Sequence, residues 1–174
     1  MGPGLGQDSI NKGTIAVVIG FLAVIVFMLA AYSLFGVFSN LALMLNVTLI
    51  LGALSGLQAT LTLPGIAGII LTIGMAVDAN VLIYERIREE SRNGRTPANA
   101  IERGYSEALS AILDANITTL IAAGVLYMLG AGPVRGFAVT LGIGILTSVF
   151  TAFVFSRLLI AMWVKGLKPK KLPI

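Results

Sequence analysis

Two aspartates interrupt long apolar runs: Asp78 in "MAVDANVLIYERIREE", residues Met75 to Glu90, and Asp114 in "AILDANITTLIAA", residues Ala111 to Ala123. Each opens the same triplet, Asp-Ala-Asn. The chain contains no histidine and no cysteine, so the commonest proton shuttle, the commonest metal ligand and any thiolate chemistry are missing. Carboxylates are left as the groups able to take up and release a proton. Inside a hydrocarbon layer a charged side chain costs about 2.5 to 3.5 kcal/mol on insertion scales, so it normally faces a bundle interior or a wet cavity and marks a functional site. Burial favours the neutral acid. A group exposed alternately to two aqueous sides could then load and unload a proton.

Asp78 lies seven residues before Glu85, and Asp114 seven residues after Glu107. At 1.5 Å per residue each is expected about 10 Å inside the same end of its span. Because the two spans run in opposite directions, the acids are expected at one level, as a proton relay requires. A structural carboxyl bonded to a neighbouring helix is the alternative for Asp78. For Asp114 the favourable dipole near a helix amino end is a second alternative. In each triplet the amide is about 200° round the helix from the acid, so Asn80 and Asn116 are expected to make cross-helix packing hydrogen bonds, with Thr118 as a further supporting polar group. Gly74, one turn before Asp78, and Gly65 and Gly68 earlier, leave room for close helix approach. Two readings stand for Arg157: snorkelling to the headgroups, or pairing with a carboxylate inside the bundle. In "ERIREE", Glu85 with Arg88 and Arg86 with Glu90 have ladder spacing.

The elements that must position these residues follow from composition. Of 174 residues, 57% are hydrophobic and 11% charged, and the mean hydropathy is +0.95, outside the range of a soluble domain. An all-α membrane protein is expected, a polytopic bundle of five transmembrane helices with a short cytoplasmic-surface helix. Apolar stretches of about 20 residues, enough to cross about 30 Å of hydrocarbon, fall at about 14–38, 41–63, 64–84, 109–130 and 137–163. Turns are expected at Ser39-Asn40, at Pro64-Gly65 and in "AGPVRG", Ala131 to Gly136.

Residues 1–13 are expected to be a linker or the end of an external domain, and they lack the features of a secretory signal. Within a cytoplasmic loop at 85–108, Thr96 and Pro97 suit a helix start. Ile101, Tyr105, Ala108 and Ile112 make one apolar face, which fits a helix on the membrane surface or a solvated loop with helical propensity. The loop carries Arg86, Arg88, Arg92, Arg95 and Arg103, and the basic tail 165–174 carries Lys165, Lys168, Lys170 and Lys171; the other side has only Lys12 and Arg135. This asymmetry predicts the carboxyl terminus in the cytoplasm and the amino terminus outside.

With these residues identified, "LTLPGIAGIILTIGMAVDANVLIYERIREE", Leu61 to Glu90, resembles the signature of the SecD branch of the SecD/SecF protein-export family. "AILDANITTLIAA" resembles its next span, "GPVRGFAVTLGIGILTS", Gly132 to Ser148, its last, and "GPGLGQDSINKG", Gly2 to Gly13, the end of its external domain. The resemblance implies half of a resistance-nodulation-division-type bundle in the bacterial inner membrane, using the proton gradient to assist protein translocation. It implies that Asp78 and Asp114 conduct protons, which act as coupling ion without any other cofactor. The implied partners are SecF, YajC and the SecYEG channel, with a preprotein substrate gripped by an external domain that would precede these residues. A proton-coupled efflux or lipid transporter of the same superfamily is the alternative, and a scaffold that transports nothing is a third reading. Enzyme readings find no phosphate-binding glycine loop and no metal-ligand cluster.

Overall fold

The computed structural model describes residues 3–174, and among them there is helix and turn but no strand. Met1 and Gly2, part of the expected 1–13 segment, lie outside the described residues. Residues 3–13, expected as the end of an external domain or a linker, are the opening turns of a helix. Among the described residues, four helices are long and apolar enough to cross a membrane. They are α1 (Pro3–Gly56), α2 (Leu63–Arg92), α3 (Pro97–Leu129) and a continuous stretch formed by α4 (Pro133–Phe150), a π-helical segment (Thr151–Ser156) and α5 (Arg157–Leu167).

The 54-residue α1 is two arms joined at Ser33, whose φ of 49° and ψ of −117° are not helical. The Asn40 amide donates to the Ile25 carbonyl at 3.2 Å, although fifteen residues of straight helix would separate them by about 22 Å. The chain therefore folds back on itself. A Cβ at Gly36 would strike the Met28 carbonyl, so glycine permits the close approach of the two arms just beyond the turn. The reversal thus comes six residues earlier than the predicted turn at Ser39-Asn40. Both side chains are buried: Asn40 bonds across the two arms, and Ser39 meets the Tyr84 hydroxyl of α2.

Ser33 occupies a backbone region that costs a non-glycine residue about 1 to 3 kcal/mol. Ser33→Gly should therefore stabilise the protein by about 1 kcal/mol net of the added chain entropy, a rise of about 2 to 4 °C in the thermal midpoint. An unchanged or lower midpoint in detergent would show that the turn carries no strain.

The second predicted span ends early, because α1 stops at Gly56 and α2 begins at Leu63. Thr62 caps α2 by accepting from the Gly65 amide at 3.2 Å, and proline occupies its first turn. The predicted loop 85–108 shrinks to residues 93–96, where Gly94 takes φ 82° and Arg95 pairs with Glu90. Among the described residues no separate surface helix forms. Residues 97–108 begin α3, and their apolar face, Ala100, Ile101, Tyr105 and Ala108, packs into the core with Ile83, Tyr84 and Ile87. A face expected on the membrane surface or in a solvated loop instead packs on α2. Past α5, Leu172 and Ile174 of the basic tail also pack on this core.

Helix α2 lies centrally. Gly68 faces Thr140 of α4, where an added Cβ would come within 3.2 Å of the Thr140 Cβ, and Gly144 of α4 abuts Thr72. These small-residue contacts let two parallel helices approach as closely as membrane packing allows. The Ser33 turn, the α2–α3 connection and the end of α5 gather at one end of the bundle. There Arg88 donates to the Ala31 carbonyl at 3.0 Å, and Phe35 stacks edge-on against Tyr84 at 5.4 Å and Trp163 at 6.0 Å.

Candidate functional site

Between α2 and α3 runs an open groove of about 390 Å³. Asp78 lines it, with Met75, Ala79 and Leu82 on its own helix and Ala115, Asn116 and Thr119 on α3. Helical periodicity puts Asp78 there: Ala76, Val77, Ala79 and Asn80 are buried while Asp78 is exposed. The walls are mostly apolar, so the carboxyl is the charged group of the groove.

The expected match in depth is visible in the register. Gly104 of α3 backs onto Ile87 of α2. Nine residues back along α2 (87 − 9) is Asp78, and nine residues on along antiparallel α3 (104 + 9) is position 113. Asp78 and Asp114 are therefore nearly level. The two acids do not line one groove, however, because Asp114 is exposed outside the groove's lining while Asn116 faces in. In the second triplet the amide, and not the acid, meets the space beside Asp78.

The supporting polar residues differ from expectation in a consistent way. The Asn80 amide donates to the Ala76 carbonyl at 3.1 Å, and the Asn116 amide to Ile112 at 2.7 Å. The Thr118 hydroxyl donates to the Asp114 carbonyl at 2.9 Å. All three bonds return to the residue's own helix, so the predicted cross-helix hydrogen bonds are absent among the described residues. In an apolar surround the nearest acceptor is the carbonyl one turn earlier, which a short polar side chain reaches without help. Both asparagines keep an Oδ1 with no partner among the described residues. A Cβ at Gly74 would meet nothing within 4 Å, so Gly74 is not a close-approach site, whereas Gly65 and Gly68 both contact Thr140. Arg157 pairs with no carboxylate among the described residues; its guanidinium lies 5.5 Å from the centre of the Tyr105 ring.

Two clusters escaped the sequence reading. Ser156, at the end of the π-helical segment, stands 3.2 Å from the Tyr84 hydroxyl and accepts from the Tyr105 hydroxyl at 3.3 Å. All three residues are buried, so one serine links both acid-bearing helices to the last span. At the Ser33 turn, Glu85 Oε1 accepts from Tyr32 at 2.9 Å and from Arg88 at 2.7 Å, with the Arg88 guanidinium over the Tyr32 ring. The other ladder pair forms as Arg86 with Glu89 at 3.0 Å, not with Glu90. Ser156→Ala should cost about 1 to 3 kcal/mol, because buried hydroxyls lose a shared partner. A thermal midpoint equal to that of the unaltered protein would show the link to be idle.

The fold and this site define a polytopic helical membrane protein with an acid held in an interhelical groove. Comparison with known proteins narrows the class. The family model of the protein-export membrane protein SecD/SecF, C-terminal, matches residues 1–166, and the chain belongs to that family. It is 54% identical over its whole length to the protein translocase subunit SecD of Rhodobacter capsulatus and 58% identical to that of Calditerrivibrio nitroreducens. It covers 31% and 34% of those relatives, and so spans about a third of their length. The crystal structure of SecDF, a translocon-associated membrane protein from Thermus thermophilus, superposes with a TM-score of 0.93 at 48% identity, over 98% of this chain and 24% of that one. SecDF in its super-membrane-facing form gives 0.89 at 49% identity, over 95% of this chain and 23% of that one.

Proposed function

We propose that this chain is the transmembrane part of a SecD-like subunit that couples the proton gradient to protein translocation, with Asp78 as its proton-carrying residue. The observation that carries the reading is the position of Asp78, a lone acid in a mostly apolar groove between α2 and α3. Protonation removes the charge of Asp78 from the groove. The groove can then close, and deprotonation reopens it, so that proton occupancy biases two arrangements of α2 and α3.

In this reading the chain crosses the bacterial inner membrane five times, each arm of α1 counting as one crossing. The bundle end that carries the basic α2–α3 connection and the lysine tail faces the cytoplasm, which leaves the amino terminus outside. Asp78 and Asp114 both lie on an exposed face of this half-bundle, and a carboxylate turned to lipid is too costly to persist. A second half-bundle, of the SecF kind, therefore covers that face, and YajC and the SecYEG channel complete the assembly. Asp114 serves from outside the groove, level with Asp78, and passes protons along the seam so formed. The preprotein is gripped by an external domain beyond this chain. The translocase names of the relatives support this reading over an efflux or lipid transporter.

Dissipating the proton gradient with an ionophore in inverted vesicles, at constant ATP, tests the reading. The increment in export that depends on the full protein should vanish. An increment that survives would overturn proton coupling.

A further inference from the structure

At the basic end of the bundle a second groove, of about 280 Å³, lies between the first turns of α3 and α5. Its floor is small and apolar, formed by Ala98 and Ile101 on one side and Ala161 and Val164 on the other. Glu102, Arg157 and Lys165 supply its charges. Arg157 and Lys165 pair with no carboxylate among the described residues, although Glu102 lines the same groove.

The two cations are eight residues apart, about 12 Å along the helix. Lys165 therefore sits at the mouth of the groove while Arg157 reaches from about two helical turns deeper in the apolar layer. Among the described residues the guanidinium has an aromatic ring face 5.5 Å away and no carboxylate partner, an expensive position there unless an anion meets it. Two cations and one carboxylate leave a net charge of +1. That matches a phospholipid carrying a single net negative charge better than a zwitterionic one, which brings no net charge to offset it. The apolar floor beneath has the shape and chemistry to take an acyl chain.

We infer that this groove binds the headgroup and one acyl chain of a singly anionic phospholipid such as phosphatidylglycerol. Arg157 and Lys165 hold the phosphate, and Glu102 limits the site to lipids without a second negative charge. The bound lipid wedges α5 against α3 beside the Tyr105–Ser156 contact. None of this depends on the proton reading of Asp78.

A photocrosslinking amino acid placed at Ala161 of the full-length protein, in vesicles of phosphatidylethanolamine with a minority of phosphatidylglycerol, tests the site. The lipid adduct should contain phosphatidylglycerol about fivefold above its share of the vesicle, as expected for one net cation near a membrane surface. Arg157→Gln combined with Lys165→Gln should bring the adduct to the vesicle composition, Arg157→Lys should retain most of the enrichment, and Glu102→Gln should increase it. Adducts that mirror the vesicle composition in the unaltered groove would overturn the inference, as would a protein crosslink in place of lipid. Should the double variant fail to insert, a Glu102→Gln variant with unchanged or lower enrichment would still refute it.

Discussion

Replacing Asp78 with asparagine in the full-length protein should reduce the proton-dependent part of export to nothing, while insertion into the membrane and ATP-driven export continue. The substitution keeps the size and most of the polarity of the side chain and removes its ability to titrate. Asp78 is exposed in the groove and accepts no hydrogen bond from elsewhere in the described residues on which folding would depend. The loss should therefore be functional and not structural. Asp78→Glu keeps a titratable group one methylene further out and should retain part of the increment. Asp114→Asn should lower the increment by a smaller share, because Asp114 passes protons along the seam but stands outside the groove that Asp78 lines. Export is measured in inverted vesicles with and without an ionophore. A normal increment in Asp78→Asn would remove Asp78 from the mechanism, and equal losses in both variants would make the two acids a coupled pair.

The difference between these two acids shows what the sequence carries and what it does not. Hydropathy and the distribution of basic residues announce the apolar helices and the special ends of the bundle, because those signals are local and one-dimensional. Depth is equally readable, since rise per residue converts sequence distance from Glu85 and Glu107 into height. Facing is another matter. Whether Asp114 or Asn116 turns toward α2 depends on the rotation of α3 about its axis, and that rotation is set by where Gly104 meets Ile87, a contact between residues far apart in the chain. The turn at Ser33 was hidden for a related reason. It contains neither glycine nor proline, and it is held by Arg88 and Tyr32–Glu85 bonds from another helix, while the turn-like pair Ser39-Asn40 is used for packing. The stripe Ile101, Tyr105 and Ala108 was correctly amphipathic, but periodicity alone cannot say whether such a stripe meets lipid or protein. The Ser156 link was invisible because a serine in an apolar run is commonplace, and only the fold brings two tyrosines to it.

Gly104→Ala should be among the most damaging single-methyl additions in the protein, with a cost of about 2 to 3 kcal/mol, at the upper range for overpacking a well-filled contact. A Cβ there would lie 2.8 Å from the Ile87 amide nitrogen and 3.0 Å from its Cα, as well as against the side chain. A side chain can rotate away, but backbone atoms move only if α2 and α3 separate. Separation at this point widens the same groove that holds Asp78 nine residues along, so coupling should weaken even where the variant still folds. Gly74→Ala is the matched control: its Cβ meets nothing within 4 Å, and the change should be neutral or stabilise by about 0.5 to 1 kcal/mol through lost chain entropy. Thermal unfolding in detergent separates the two. Adding Ile87→Ala to Gly104→Ala relieves the side-chain contact only and leaves the backbone clash, so it should recover little of the loss. Full recovery by that second substitution would show that the helices are kept apart by side chains, and that the α2–α3 spacing on which the groove depends is not fixed at Gly104.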